Sequence, residues 1–259
     1  YGGTGMGYHE YAAIIVELAK FDPALALSLA AQNLGIPAYI VMPETAPEVK
    51  KRGVREYGGT IFECAPTLEA REAEARRIQE ETGAEFIHPS NDPRVMLGQG
   101  TACIELLEDV GDLEMVIAPV GGGGLLGGTA LSASLFGRDC TPVGAEPLAV
   151  DDAYRSLKEG RIMGNTTTDT IADGLKTVLG TYTFPVLQQH VKTIVRVTEG
   201  EIVQAMRLVW ERMKIVIEPS SAVALAAVFK DRERFAGKKT GIIISGGNVD
   251  LEKLPFRAG

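Results

Sequence analysis

The sequence predicts an α/β protein, a twisted parallel sheet flanked by helices with a smaller α/β lobe. Three observations predict it. Strand-like and helix-like segments alternate along the 259 residues. The runs at residues 38–42, 115–119 and 240–244 are nearly all apolar, without the polar alternation of a one-faced sheet, so these strands are covered on both faces. Two of the three run into glycine clusters, as strand ends do where a tight turn or a ligand brings backbone close.

In chain order, residues 8–20 read as a helix with Ala12, Ile15, Leu18 and Ala19 on one face. Asp22-Pro23 reads as an N-cap followed by proline at the first helical position, opening a helix to residue 33. Gly35-Ile36-Pro37 stops it before the strand at 38–42. A charged helix at 47–57, a strand at 60–64, a Glu/Arg-rich helix at 67–82 and a short strand at 85–88 follow. After a loop through Pro93 come a helix at 98–110, the strand at 115–119, a small-residue helix at 125–136 and a strand at 141–146. The remainder reads as helices at 151–159, 183–191, 199–214 and 220–229, with strands at 193–197 and 240–244. The predicted division is a helical segment over 1–33, a small lobe over 34–92 and a large domain over 93–259.

Net charge is −8, and an acidic surface repels phosphate backbones, which argues against nucleic acid as a partner. Cys64, Cys103 and Cys140 are widely spaced, with no Cys-x-x-Cys pair, as in a reducing compartment without a disulfide framework or zinc site. No apolar run is long enough to span a membrane, and the first residues lack a signal-peptide pattern, so the expected setting is cytoplasmic.

Ligands of open parallel sheets sit beyond the carboxyl ends of the strands, and three clusters fall there. Gly121-Gly122-Gly123-Gly124-Leu125 joins a strand to a helix. Four residues without Cβ let successive N–H groups face one anion, with the helix N-terminus adding partial positive charge; a phosphate fits best. The alternative is a tight turn that binds nothing. The Walker lysine and the dinucleotide Gly-x-Gly-x-x-Gly spacing are both absent. Ser245-Gly246-Gly247-Asn248 ends the last strand, where a hydroxyl offers a hydrogen bond to a ring nitrogen. Glu146, with Asp152 six residues on and a backbone carbonyl between, offers oxygens to Mg²⁺ or Ca²⁺; solvated acids capping a helix are the competing reading.

Together with Leu34-Gly35-Ile36-Pro37, His88-Pro89, Gly98-Gln99-Gly100-Thr101, Thr170-Ile171-Ala172-Asp173-Gly174 and Glu218-Pro219, these motifs resemble the fold-type II pyridoxal-phosphate enzymes, with the tryptophan-synthase-β-like fold. Within that family the likeness is to serine racemases and biosynthetic threonine dehydratases, over residues 25–256. The resemblance implies a lyase or racemase acting on serine- or threonine-like amino acids, and a homodimer. It implies pyridoxal phosphate held by Gly121, Gly122, Gly123, Gly124 and Leu125, with Ser245 on the pyridine nitrogen. A divalent cation would be held by Glu146, Asp152 and the carbonyl of Val150, and Ser90 would fall near the ring hydroxyl. A serine partner leaves the ring nitrogen neutral, which suits elimination better than transamination.

The family also carries a Ser/Ala-Phe-Lys motif, whose lysine forms the Schiff base, and a Ser-Gly-Asn-His loop for the substrate carboxylate; neither occurs in these 259 residues. No catalytic residue is assigned. Lys20 reads as solvated near a helix end, and Lys50 and Lys51 as side chains on a charged helix face. Residues 1–31, with Leu18-Ala19-Lys20-Phe21-Asp22-Pro23-Ala24-Leu25, resemble the amino-terminal part of acyl-CoA dehydrogenases, so the chain reads as a chimera across a shared helix. The competing expectation is a catalytically silent scaffold that binds a phosphate-bearing ligand.

Overall fold

The computed structural model describes residues 23–256; the expected helix over 8–20, Asp22 and Lys20 lie outside the described residues. The chain divides into two compact units, one ending at Ile87 and joined by Asp250–Lys253, the other His88–Val249 closed by the residues from Leu254 on.

In the first unit, α1 (Pro23–Leu34) leads to β1 (Tyr39–Pro43), α2 (Glu48–Glu56), β2 (Thr60–Cys64) and α3 (Leu68–Thr82). β1 and β2 pair in parallel from Tyr39↔Thr60 to Pro43↔Cys64, over a small core of Ile40, Met42 and Val54. Thr67 caps α3 by accepting the Ala70 N–H at 3.1 Å, and Gly83 ends it at φ 70°. On the charged helix face, Lys51 is 6% exposed, and its Nζ donates to the Glu44 carbonyl at 2.8 Å and the Glu63 carboxylate at 2.9 Å. Its partner stands on β2, so a helical-face pattern alone does not reveal it. Residues 85–88, expected as a strand, join no ladder among the described residues, and Phe86 and Ile87 stay exposed.

The second unit contains α4 (Pro93–Asp109), β3 (Met115–Pro119), α5 (Gly124–Phe136), β4 (Thr141–Pro147), α6 (Asp152–Glu159), α7 (Thr183–His190), β5 (Ile194–Val197), α8 (Glu199–Met213), α9 (Pro219–Lys230), α10 (Arg232–Phe235) and β6 (Thr240–Ile242). α4 begins five residues before the expected start, because Asp92 caps it by accepting the Arg94 N–H and Pro93 takes the first position. β6 is shorter than the apolar run predicts, although the Ile243 N–H still donates to the Ile117 carbonyl at 2.9 Å.

The four strands are all parallel in the order β5-β4-β3-β6. Alternate residues feed two cores, as full coverage of a sheet requires. Met115, Ile117, Val143 and Ala145 pack with Ile202, Met206 and Val209 of α8 and with Val223 of α9. Val116 and Ala118 pack with Cys103 and Leu107 of α4, Leu126 and Ala130 of α5 and Leu187 of α7. α8 is started by a capping box between Thr198 and Glu201. All three cysteines are free thiols, and among the described residues no helix is long and apolar enough to cross a membrane.

The chain steps from β3 through β4 to β5 in one direction, then returns to lay β6 on the other side of β3. The order reverses between β3 and β6, and at such a reversal the loops leaving two neighbouring strands part and open a crevice at the carboxyl edge.

Candidate cofactor and cation sites

The loop from β3 into α5 flanks that crevice. Gly121, Gly122, Gly123 and Gly124 are all buried. Gly123 sits at φ 89°, the left-handed region, and its carbonyl takes the Gly127 N–H at 2.8 Å as α5 begins. Behind the loop, the Thr183 hydroxyl donates to the Gly122 carbonyl at 2.8 Å and accepts the Gly180 N–H at 2.9 Å. The carbonyl side is therefore held. The amide side is not: none of the four glycine N–H groups donates to an acceptor among the described residues. Buried orphan amides are rare, and four in sequence at a helix N-terminus are groups that an anion could satisfy.

Neighbours press on the loop from both flanks. A Cβ on Gly124 would lie 2.5 Å from the Gln99 Oε1 and 3.2 Å from the Ser90 Cα; one on Gly121 would lie 3.0 Å from the Leu175 Cα and 3.1 Å from the Gly174 carbonyl. A Cβ on Gly122 would meet the Ser90 side chain. Glycine is thus required by packing. Ser90 packs against the loop, its N–H donating to His88 Nδ1 at 3.1 Å. The Gln99 Oε1 is buried without a hydrogen-bond partner among the described residues, a second polar atom awaiting something at this loop.

Across the reversal point, Ser245 follows β6 and is half-buried. Its N–H donates to the Ser221 hydroxyl at 2.8 Å, and so does that of Gly246 at 3.3 Å. The Gly246 carbonyl in turn accepts the Glu218 N–H at 3.0 Å. Ser221 is fully buried in the first turn of α9, so a helix start fixes the backbone that presents Ser245. No hydrogen bond reaches the Ser245 hydroxyl from the described residues, which leaves it for a ligand.

Glu146, at the end of β4, and Asp152, at the start of α6, are both fully buried, so neither is solvated, although Glu146 does cap the first turn of α6 as the competing reading has it. The Glu146 carboxylate accepts the Ala153 N–H at 2.8 Å and the Tyr154 N–H at 3.0 Å. Asp152 accepts from Asn165 at 2.6 Å and from the Leu179 N–H at 3.1 Å. Burial, and next the nearby Asp152 charge, push Glu146 well above the usual carboxylate range; burial pushes Asp152 up to about 6. Asp151 behaves oppositely: burial works against its charge, but hydrogen bonds from Arg155 at 2.6 Å and Arg196 at 2.8 Å hold its carboxyl low. The arginines therefore serve Asp151, and the buried pair is short of positive charge. The carbonyl of Val150, two residues before Asp152, takes no hydrogen bond from the described residues. Among the described residues no cluster of three or more His, Cys, Asp or Glu occurs; the set here is two carboxylates and a carbonyl, a hard oxygen set suited to Mg²⁺ or Ca²⁺.

Thr183, Ser221 and Asn165 were not legible as candidate site residues, because Gly122, Ser245 and Asp152, which they bond, stand far off in sequence. Gln99 was legible only as part of the Gly98-Gln99-Gly100-Thr101 motif. Thr183→Val removes a hydroxyl that satisfies one buried and one part-buried main-chain group. We expect a loss of about 1–3 kcal/mol in unfolding free energy by urea titration, with Thr183→Ser close to the parent.

A family model described as pyridoxal-phosphate dependent enzyme matches residues 10–246. The chain is 49% identical over 233 residues to the beta-hydroxyaspartate dehydratase of Paracoccus denitrificans (strain Pd 1222), covering 90% of this chain and 74% of that protein. It is 48% identical over 235 residues to the serine racemase of Dictyostelium discoideum, covering 88% and 72%. The structure of maize serine racemase superposes with a TM-score of 0.86 at 42% identity, covering 90% of this chain and 72% of that one.

Proposed function

Since the chain belongs to the family of pyridoxal-phosphate dependent enzymes, we propose that it holds pyridoxal phosphate at the β3–β6 reversal point, as part of a serine/threonine ammonia-lyase or serine racemase. The observation that carries this is the row of four buried glycine amides without an acceptor among the described residues. In this reading the amides of Gly121, Gly122, Gly123 and Gly124, with Leu125 beginning the helix, take the phosphate. The magnitudes favour the amides over the dipole. A hydrogen bond to a charged group contributes about 1.5–3 kcal/mol, against about 0.3–1 kcal/mol for a charge at a helix N-terminus. The free Ser245 hydroxyl would bond the ring nitrogen, held in place by Ser221. When bound, the cofactor supplies an electron sink for cleaving bonds to an amino acid's α-carbon. A hydroxyl at its nitrogen keeps that sink modest, which favours elimination or inversion at serine-like substrates, the chemistry named for the relatives.

The 259 residues contain no Ser/Ala-Phe-Lys motif, so the reading gives them cofactor holding and assigns α-proton transfer to no residue among them. The foreign origin of residues 1–31 and the homodimer belong to this proposal and rest on likeness alone. The test is equilibrium binding of pyridoxal phosphate followed by borohydride. Binding without covalent retention supports the reading. Covalent retention on a lysine would show that a residue here replaces the motif, and no binding would remove the reading.

Glu146, Asp152 and the Val150 carbonyl would hold the divalent cation, remote from the cofactor loop in sequence. Adding Mg²⁺ or Ca²⁺ at 100 times its dissociation constant is expected to stabilise the fold by about 2.7 kcal/mol. Differential scanning fluorimetry reads this as a rise in Tm, absent in Glu146→Gln.

A further inference from the structure

β5 is the last strand on its side of the sheet among the described residues. The Gly144 N–H donates to the Thr193 carbonyl at 2.9 Å, so main-chain groups of Thr193 and Val195 serve β4. Successive residues alternate, so those of Ile194 and Arg196 point the other way. No hydrogen bond among the described residues reaches either. An edge of this kind is a template for another extended chain.

This edge lies in a groove of about 900 Å³, walled by α6 and the end of α7 on one side and by the end of α9 and α10 on the other. Its rim is basic in a chain of net charge −8. Lys158, Lys192, Arg196, Lys230 and Arg234 line it, and Asp231 is the one acidic lining residue, already paired to Arg234 at 2.7 Å. Arg196 is fixed by its bond to Asp151 and lies 3.9 Å over the Tyr154 ring, while Lys230 pairs with Glu201. Lys158 and Lys192 have no ion pair among the described residues. Between the charges, Leu157, Val191 and Ile194 provide apolar floor.

We propose that this groove binds a short extended acidic peptide segment of a partner, which adds a fifth strand to the sheet beside β5. The main chain of the segment pairs with Ile194 and Arg196. Its side chains alternate between the two walls, placing carboxylates against the lysines on each. A small anion would use the lysines and leave the strand edge unpaired; the edge and the charge together select an acidic chain. The site is separate from the cofactor loop and does not depend on the cofactor reading.

The experiment is fluorescence anisotropy of the full chain with a labelled peptide of alternating Glu and Val. It is repeated with that peptide N-methylated at alternate residues, with a Lys/Val peptide, and with the Lys158→Glu/Lys192→Glu variant. We expect binding of the acidic peptide only, weakened at least tenfold by N-methylation and by the double substitution, and further weakened by salt. Binding that survives N-methylation would show a plain anion surface and overturn the proposal. So would no binding by a variant-competent, folded parent. Sedimentation velocity supplies the last arm: parent self-association that the double substitution abolishes would assign the edge to a second copy and also overturn it.

Discussion

Gly122→Val is expected to weaken pyridoxal phosphate binding at least a hundredfold, about 2.7 kcal/mol, while the chain still folds. Gly122 lies in the middle of the cradle with its carbonyl tied to Thr183. A Cβ there would stand 2.8 Å from the Ser90 Cβ and 3.3 Å from the Thr177 hydroxyl, so neither flank can receive it without moving the loop. Valine adds two further methyl groups on the Ser90 side, which must displace the loop whose amides the proposal assigns to the phosphate. Calorimetry reads the affinity. The separating control is Ser245→Ala, which removes one hydrogen bond to the ring and none to the phosphate, and should cost tenfold or less. Equal losses in both variants would mean that the phosphate contacts do not dominate.

Gly128→Val is expected to have the largest effect on stability, about 3 kcal/mol or more. Gly128 of α5 and Gly100 of α4 mark the place where two helices touch backbone to backbone. A Cβ on Gly128 would lie 2.5 Å from the Gly100 N and 2.8 Å from its Cα, and would also meet the Met96 carbonyl. Main chain cannot rotate aside as a side chain can, so the helices must part. The buried Ser132 hydroxyl, which donates to the Gly100 carbonyl at 2.8 Å, would be lost with them. Gly98, on the open side of the same helix, has nothing within 4 Å of its would-be Cβ. Gly98→Ala should therefore stabilise by about 0.5–1 kcal/mol. Urea unfolding of the pair tests whether it is the helix crossing, not glycine content, that matters.

The residues that carry the fold were readable where a local pattern has one physical cause. The apolar run at 115–119 has both faces buried, and the glycine run after it can only be a tight approach of backbone, so strand, loop and helix all stand where the sequence places them. Glu146 stands near the end of β4 where the sequence places it, and only the fold shows that it and Asp152 are buried. What failed was anything set by a distant partner. Lys51 reads as one charge on a helix face until Glu63 on β2 is beside it. Residues 85–88 have strand composition, but composition supplies no neighbour to pair with. Ser221 is one small residue among many in α9, and only the turn after β6, 24 residues on, gives it a task. The start of α4 was legible from Asp92-Pro93 by the same rule that reads Asp22-Pro23, and the loop-like composition before it hid the signal.

The account turns on the phosphate being the anchor at residues 121–124. Titration calorimetry of the same chain with pyridoxal phosphate and with pyridoxal, which lacks only the phosphate, tests this most directly. The account predicts at least a hundredfold tighter binding of the phosphorylated form, with inorganic phosphate competing against it. Equal affinity for the two, with no competition, would contradict it.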